Sequence, residues 1–590
     1  MRNFPLVLLL AVASIAAAAC DPPAAGADAT QTVASDGTVD LRRVWSDARE
    51  YAKPSPDGRL ITFVDWTTGD VAVYDVASRT ERRVTDKGTW QANGSWAEEP
   101  RFSPDGSRIV YSYGNTQARS PFVYELRAVS LTDSAQHLVY RGADDDYIVP
   151  LDWHDGAGIL AIVDHAGGVS DLVVIDPETG AARVVRTFQP HESDPHRASF
   201  SSDARFIAYQ YGREVRVMDA NGGSDRSLDE NGALLGWSLD GAGVLIHANR
   251  EGTRAIWLIP VRDGRRSGPT SLVRDGIPAM YPGGFSRSAY FYTVPIDGPK
   301  LQLATIDVDN GRVLVQPSQI TGPADGFAHS PAWTPDGSSY AYILNTPGVR
   351  PRIMLRSADG EQLREIATLD VNGVHSLHWE PNGRSLVFVG DGAAETAAYR
   401  LDLSTGETTR LFEPAGRVIR LTADGRTLVY LRSDGVFSRP VNGGAERRIV
   451  ELPGGGVTDL AISPDGRMIA HVRGRGENVG RIVVFPIEGG AEREIMRLPE
   501  GQHFEPQANT LAWTPDGRYL VAVAGDTAQN HRLVAVALDG GALRPLLELG
   551  QRREGAERAH AKLHPDGRRI LYSNGVARSE MWMLDGLRPF

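Results

Sequence analysis

Three histidines recur at one position of a repeating pattern in this chain, and histidine is the side chain that can ligate a metal, move a proton or hold an anion near neutral pH. The position is found by counting back four residues from the apolar residue that precedes each of a series of tight turns. It reads Glu98, Val149, His196, Ala233, Tyr281, His329, His375, Arg417, Thr458, Asn509 and Ala559. Glu98, His196, His329, His375 and Arg417 are therefore the candidate binding residues. The competing assignment is that these polar side chains bond loop backbone between neighbouring repeats. Two further clusters offer ligand atoms. Asp144, Asp145 and Asp146 could hold a cation or form a solvated loop. His191 and His196 flank Glu192 and Asp194, but with no recognised metal spacing. No residue is assigned as catalytic or metal-binding, and no cofactor is expected.

Several enzyme classes lack their motifs. No Gly-x-Ser-x-Gly elbow occurs, and the nearest string, Gly236 to Asp240, is a hairpin turn. There is no Gly-x-x-x-x-Gly-Lys-Ser/Thr loop for phosphate and no His-Glu-x-x-His pair for zinc. Asp307 to Gly311 is a turn without the closing glutamate of a calcium loop. The formal net charge of −12, with no basic stripe, argues against a nucleic-acid partner. Composition is ordinary for a globular chain, with 41% hydrophobic and 23% charged residues, and 63 glycines and 36 prolines supply many turns.

Those turns are the elements that must position any site. Clear copies of one signature are Ser55-Pro56-Asp57-Gly58, Ser103-Pro104-Asp105-Gly106, Thr334-Pro335-Asp336-Gly337, Ser463-Pro464-Asp465-Gly466, Thr514-Pro515-Asp516-Gly517 and His564-Pro565-Asp566-Gly567. Degenerate copies follow Trp153, Phe200, Trp237, Trp379 and Leu421, and one near Phe285 keeps only the flanking pattern, making twelve. Proline presets φ, aspartate bonds nearby amides and glycine takes the positive φ that closes the loop, so each copy is a turn and not a site. The spacing of 37 to 51 residues is that of a four-stranded propeller blade. Blade one shows the alternating strands: Leu60 to Val64, Val71 to Val76 and Arg82 to Thr85. The tryptophans before the turns fit blade-to-blade packing, with sugar stacking as the alternative.

The fold class predicted is all-β, a β-propeller. The turns and strands resemble the TolB-type, WD40-like propeller repeat over residues 40 to 590, a likeness specific for fold and weak for function. In that family the repeats occur in periplasmic TolB proteins, in the propellers of prolyl-oligopeptidase-like peptidases and in secreted proteins. Two outer-strand-like segments precede the first turn of each half, at 41–47 and 312–321. They are expected to close blades six and twelve, which predicts two tandem six-bladed rings, at 39–310 and 311–590. The last blade is expected to use Arg569 to Tyr572 and Glu580 to Leu584. A single twelve-bladed ring and a seven-plus-five split are the alternatives.

The N-terminus is set apart. Arg2, the apolar run Phe4 to Ile15 and small residues before Cys20 form a targeting segment at 1–20. The small residues before the cysteine resemble a bacterial lipobox, which implies acylation of Cys20; Ala17 departs from the leucine that pattern prefers. Residues 21–38, rich in Ala, Asp, Gly, Pro and Thr, form a flexible tether. The expected function is a lipid-anchored module in the periplasm or on the cell surface that binds an envelope protein or peptide. The alternative is a carbohydrate-active lyase or hydrolase with a channel-mouth site.

Overall fold

In the computed structural model every described regular element is a β-strand. The structure describes residues 40–586 except 50, 87–94, 116–122, 144–145, 166–168, 190–194, 213, 230, 251–252, 279, 299, 321–326, 347–349, 372, 392–395, 414–417, 433–434, 452–456, 474–479, 500–501, 506–510, 527–529, 552–559 and 575–577. Cys20 and the tether therefore lie outside the described residues. No helix among the described residues is long and apolar enough to cross a membrane.

The strands form twelve antiparallel sheets among the described residues, each carrying one turn of the repeat. The fold is an all-β propeller, in agreement with the TolB-like repeat. Within a sheet, burial falls from the inner strands outward. In sheet one, Leu60–Asp65 and Asp70–Asp75 are largely buried and Thr80–Arg83 is exposed. Inner strands are covered on both faces by neighbouring sheets, which is why Gly158–Asp164 reads GILAIVD rather than alternating.

The turn chemistry recurs in most of the sheets that carry the clear signature. In sheet one the Ser55 hydroxyl donates to Asp57 Oδ1 at 2.6 Å and accepts from the Leu60 amide at 2.9 Å, while Asp57 takes the Arg59 amide. Gly58 completes the turn at φ 71°. Ser103, Thr334, Ser463 and Thr514 repeat the hydroxyl–aspartate bond at 2.5–2.7 Å.

Neighbouring sheets are joined by the tryptophans before the turns. The indole N–H of Trp237 donates to Ser199 O, that of Trp333 to Lys562 O, that of Trp379 to Ala332 O and that of Trp513 to Ala461 O, at 3.0–3.3 Å. These indole N–H groups are committed to the adjacent blade, which fits the blade-to-blade packing role. Sheets one to six touch in chain order and sheet six returns to sheet one; sheets seven to twelve do the same. Lys53 Nζ donates to Pro282 O at 2.8 Å across the first return, and Trp333 spans the second.

Sheets six and twelve correct one expectation. Asp40–Ala48 is the outer strand of sheet six and Arg312–Gln319 that of sheet twelve. The strands beside them are exchanged. Arg578–Asp585 does not follow Arg569–Asn574; it lies between Ala289–Asp297 and Asp40–Ala48 in sheet six. Lys300–Asp307 pairs instead with Arg569–Asn574 in sheet twelve. The chain thus passes from the first set to the second between Ala289–Asp297 and Lys300–Asp307, and Arg578–Asp585 returns to the first set. Asp297-Gly298 resembles a local hairpin turn, but Gly298 lies against the Phe327 ring of sheet seven, where a Cβ would be only 1.8 Å from a ring carbon.

Candidate functional site

The expected binding column does not assemble as a unit. Glu98 is already engaged: Trp96 Nε1 donates to it at 2.9 Å and the Tyr147 hydroxyl at 2.8 Å. Burial raises its carboxyl above the ordinary range. His196 is exposed in sheet four. His329 is buried, with Nε2 taking the Asn345 amide at 2.8 Å and Nδ1 at 3.1 Å from Ser330 Oγ. His375 faces Asp391, its Nε2 2.6 Å from Oδ2. Arg417 lies outside the described residues, as do Asp144, Asp145, His191, Glu192 and Asp194. Asp146 is not an open cation ligand: it takes the Ala143 amide at 2.7 Å and faces His165 Nδ1 at 2.9 Å.

What the fold does assemble lies three residues further along the inner strands, one before the apolar residue. That position carries His378, Arg420 and Lys562 in sheets eight, nine and twelve, and Lys53, Arg101 and Asp152 in sheets one to three. The signal was present in the repeat: cationic side chains at a strand position flanked by buried apolar residues. The column four residues before the apolar residue passes it by three positions.

In the second set, Arg420 and Asp459 form a buried ion pair, Nη2 to Oδ1 2.5 Å, at 6% and 1% exposure. Asp459 also accepts the Leu460 and Leu511 amides at 2.8 and 2.9 Å, so its charge is fully met by local donors. Arg420 Nη1 lies 3.4 Å from His378 Nε2. A guanidinium only donates, so His378 accepts there with a neutral ring. Burial, followed by the Lys562 and Arg420 cations, holds His378 well below the usual imidazole range. Burial and Arg420 pull the Lys562 ammonium down to about 7, with Asp459 opposing.

Ser330, Pro331, His375, His378, His560 and Lys562 line a small pocket that opens to solvent. Ser330 adopts φ 48°, an unfavourable conformation for a non-glycine residue, in a bulge between His329 and Ala332. Its hydroxyl lies 3.4 Å from His560 Nδ1 and donates to His375 O at 3.4 Å. The arrangement offers several donors and one ammonium that is poorly solvated, which is chemistry for holding an anion.

No sequence-family profile matches the chain, and no curated protein sequence matches it. Solved structures of similar fold include putative TolB from Agrobacterium tumefaciens, 18% identical over 47% of this chain and 98% of that one, TM-score 0.37. TolB from Acinetobacter baumannii is 16% identical over 59% of this chain and 80% of that one, TM-score 0.33. The tricorn protease is 12% identical over 83% of this chain and 50% of that one, TM-score 0.28. These likenesses concern the propeller architecture.

Proposed function

We propose that the chain is a binding module of the bacterial cell envelope, lipid-anchored through Cys20, whose strands close two six-bladed rings and whose second ring holds an acidic protein or peptide segment. The observation that carries this is the pocket at Ser330, His375, His378, His560 and Lys562, where the Lys562 ammonium stands among several hydrogen-bond donors, the nearby Arg420 being paired with Asp459 and His375 facing Asp391. An ammonium driven down to about 7 by burial and a neighbouring guanidinium regains its proton when an anion arrives, so a ligand carboxylate is bound as an ion pair.

A photoreactive glutamate-rich peptide tests the placement. Cross-links to Ser330–Pro331, Ser376–His378 or His560–Lys562 support it, and cross-links confined to the outer strands overturn it. Anchoring is tested separately by metabolic labelling with a fatty-acid analogue: label should enter the full chain and be absent from Cys20→Ala.

A further inference from the structure

Sheet eleven holds a second cluster, away from the pocket. His503, on Gln502–Phe504, lies directly opposite Gly525 of Tyr519–Asp526, and Gly525 lies directly opposite His531 of Asn530–Ala537. Residues in one cross-strand row point to the same face of a sheet. Because the middle residue has no side chain, the two imidazoles turn toward each other over it: a Cβ at Gly525 would stand 2.8 Å from Nε2 of both. Glu505, two residues after His503, brings Oε2 to 3.2 Å from His531 Nε2.

The donor atoms of His503, Glu505 and His531 all lie within 4.8 Å of one another. Glu505 and His531 are 6% and 7% exposed. His531 Nε2 is buried and, despite facing the carboxylate, makes no hydrogen bond. A buried carboxylate converging with two imidazoles on a space kept clear by a glycine is a ligand set that a cation would complete.

We propose that His503, Glu505 and His531 bind a first-row divalent transition-metal ion of the zinc class. Two imidazole donors disfavour magnesium and calcium, which take oxygen ligands. Tetrahedral zinc at about 2.0–2.1 Å from its ligands sets neighbouring donor atoms about 3.3–3.5 Å apart. The three side chains reach that geometry by drawing in by about 1 Å, within rotamer adjustment. Three protein ligands leave one position for water or an incoming donor.

The test uses the full chain, purified without a polyhistidine tag and stripped with chelator. Zn²⁺ is titrated calorimetrically and Co²⁺ by visible absorption. One equivalent is expected to bind, with four-coordinate cobalt bands and no thiolate charge-transfer band, since the lone cysteine is Cys20. Glu505→Gln, His531→Ala and Gly525→Ala should each weaken Zn²⁺ binding at least tenfold, while His137→Ala, at an exposed histidine of sheet two, leaves it unchanged. Glu505→Gln preserves shape and decides the matter if either other variant fails to fold. The proposal is overturned if the wild type takes up no stoichiometric Zn²⁺, if Glu505→Gln binds as the wild type does, or if His137→Ala abolishes binding.

Discussion

Leu303 sits opposite Leu571, and Phe291 opposite Met583, so two strands that are distant in sequence have exchanged places between the first and second sets of sheets. The C-terminal strand Arg578–Asp585 thereby becomes part of the first set's core, with Leu584 fully buried against Ile256, Tyr290 and Tyr292. Sheet six is completed by a strand from the C-terminal part of the chain, and sheet twelve by Lys300–Asp307 and Arg312–Gln319.

This makes the effect of a C-terminal core substitution non-local in sequence. Leu584→Ala removes a fully buried side chain and is predicted to destabilise by about 2–5 kcal/mol. Hydrogen exchange should rise in Ala233–Trp237, Gly243–Arg250 and Ala289–Asp297, while Met468–Arg473 and Tyr519–Asp526 stay protected. Loosening confined to Ala561–Asn574 would refute the exchange.

The blade-joining indoles give a second prediction. Trp379→Phe keeps an aromatic ring but deletes the 3.0 Å bond to Ala332 O. The expected cost is about 0.5–1.5 kcal/mol, read from denaturant unfolding.

Acid should weaken the fold through the turns. Hydrogen bonds from Ser103 and Ser107 hold Asp105 at about 2, and the Ser338 amide with the Thr334 and Ser338 hydroxyls does the same for Asp336. A carboxylate depressed below its unfolded value of about 3.9 contributes stability above that value and loses it as pH falls toward 2. Asp105→Asn and Asp336→Asn should therefore flatten the fall in melting temperature between pH of about 4 and about 2, measured by circular dichroism.

Lys562 behaves in the opposite sense to a stabilising charge. Its folded value of about 7 lies below the unfolded value of about 10.4, so the cost of burying the ammonium is complete below pH 7 and disappears as pH rises through that window. Lys562→Met should melt higher than the wild type at acid pH, with the gap narrowing toward pH of about 10. A constant gap would show that Lys562 keeps an ordinary pKa.

The repeat turns made the propeller legible from the chain alone, because Ser-Pro-Asp-Gly encodes the same hydroxyl–aspartate–glycine turn wherever it stands. Outer strands 41–47 and 312–321 were legible as orphans with no local partner. The exchange was not, because Lys300–Asp307 and Arg578–Asp585 carry similar alternation and no local turn signal says which gap each fills. The site was partly legible. His375 lines the pocket and His329 stands behind it, but Glu98 is occupied by Trp96 and Tyr147. His378, Arg420 and Lys562 sit at a strand position whose neighbours are apolar, so their convergence emerges only when the inner strands of sheets eight, nine and twelve are brought together by the fold.

Fluorescence anisotropy of a labelled polyglutamate peptide against the full chain tests the central claim most directly. The account predicts saturable binding at pH of about 6, weakened at least tenfold by Lys562→Met and, in the wild type, as pH rises to about 9 and Lys562 loses its proton. No saturable binding, or binding indifferent both to Lys562→Met and to pH across that window, would contradict it.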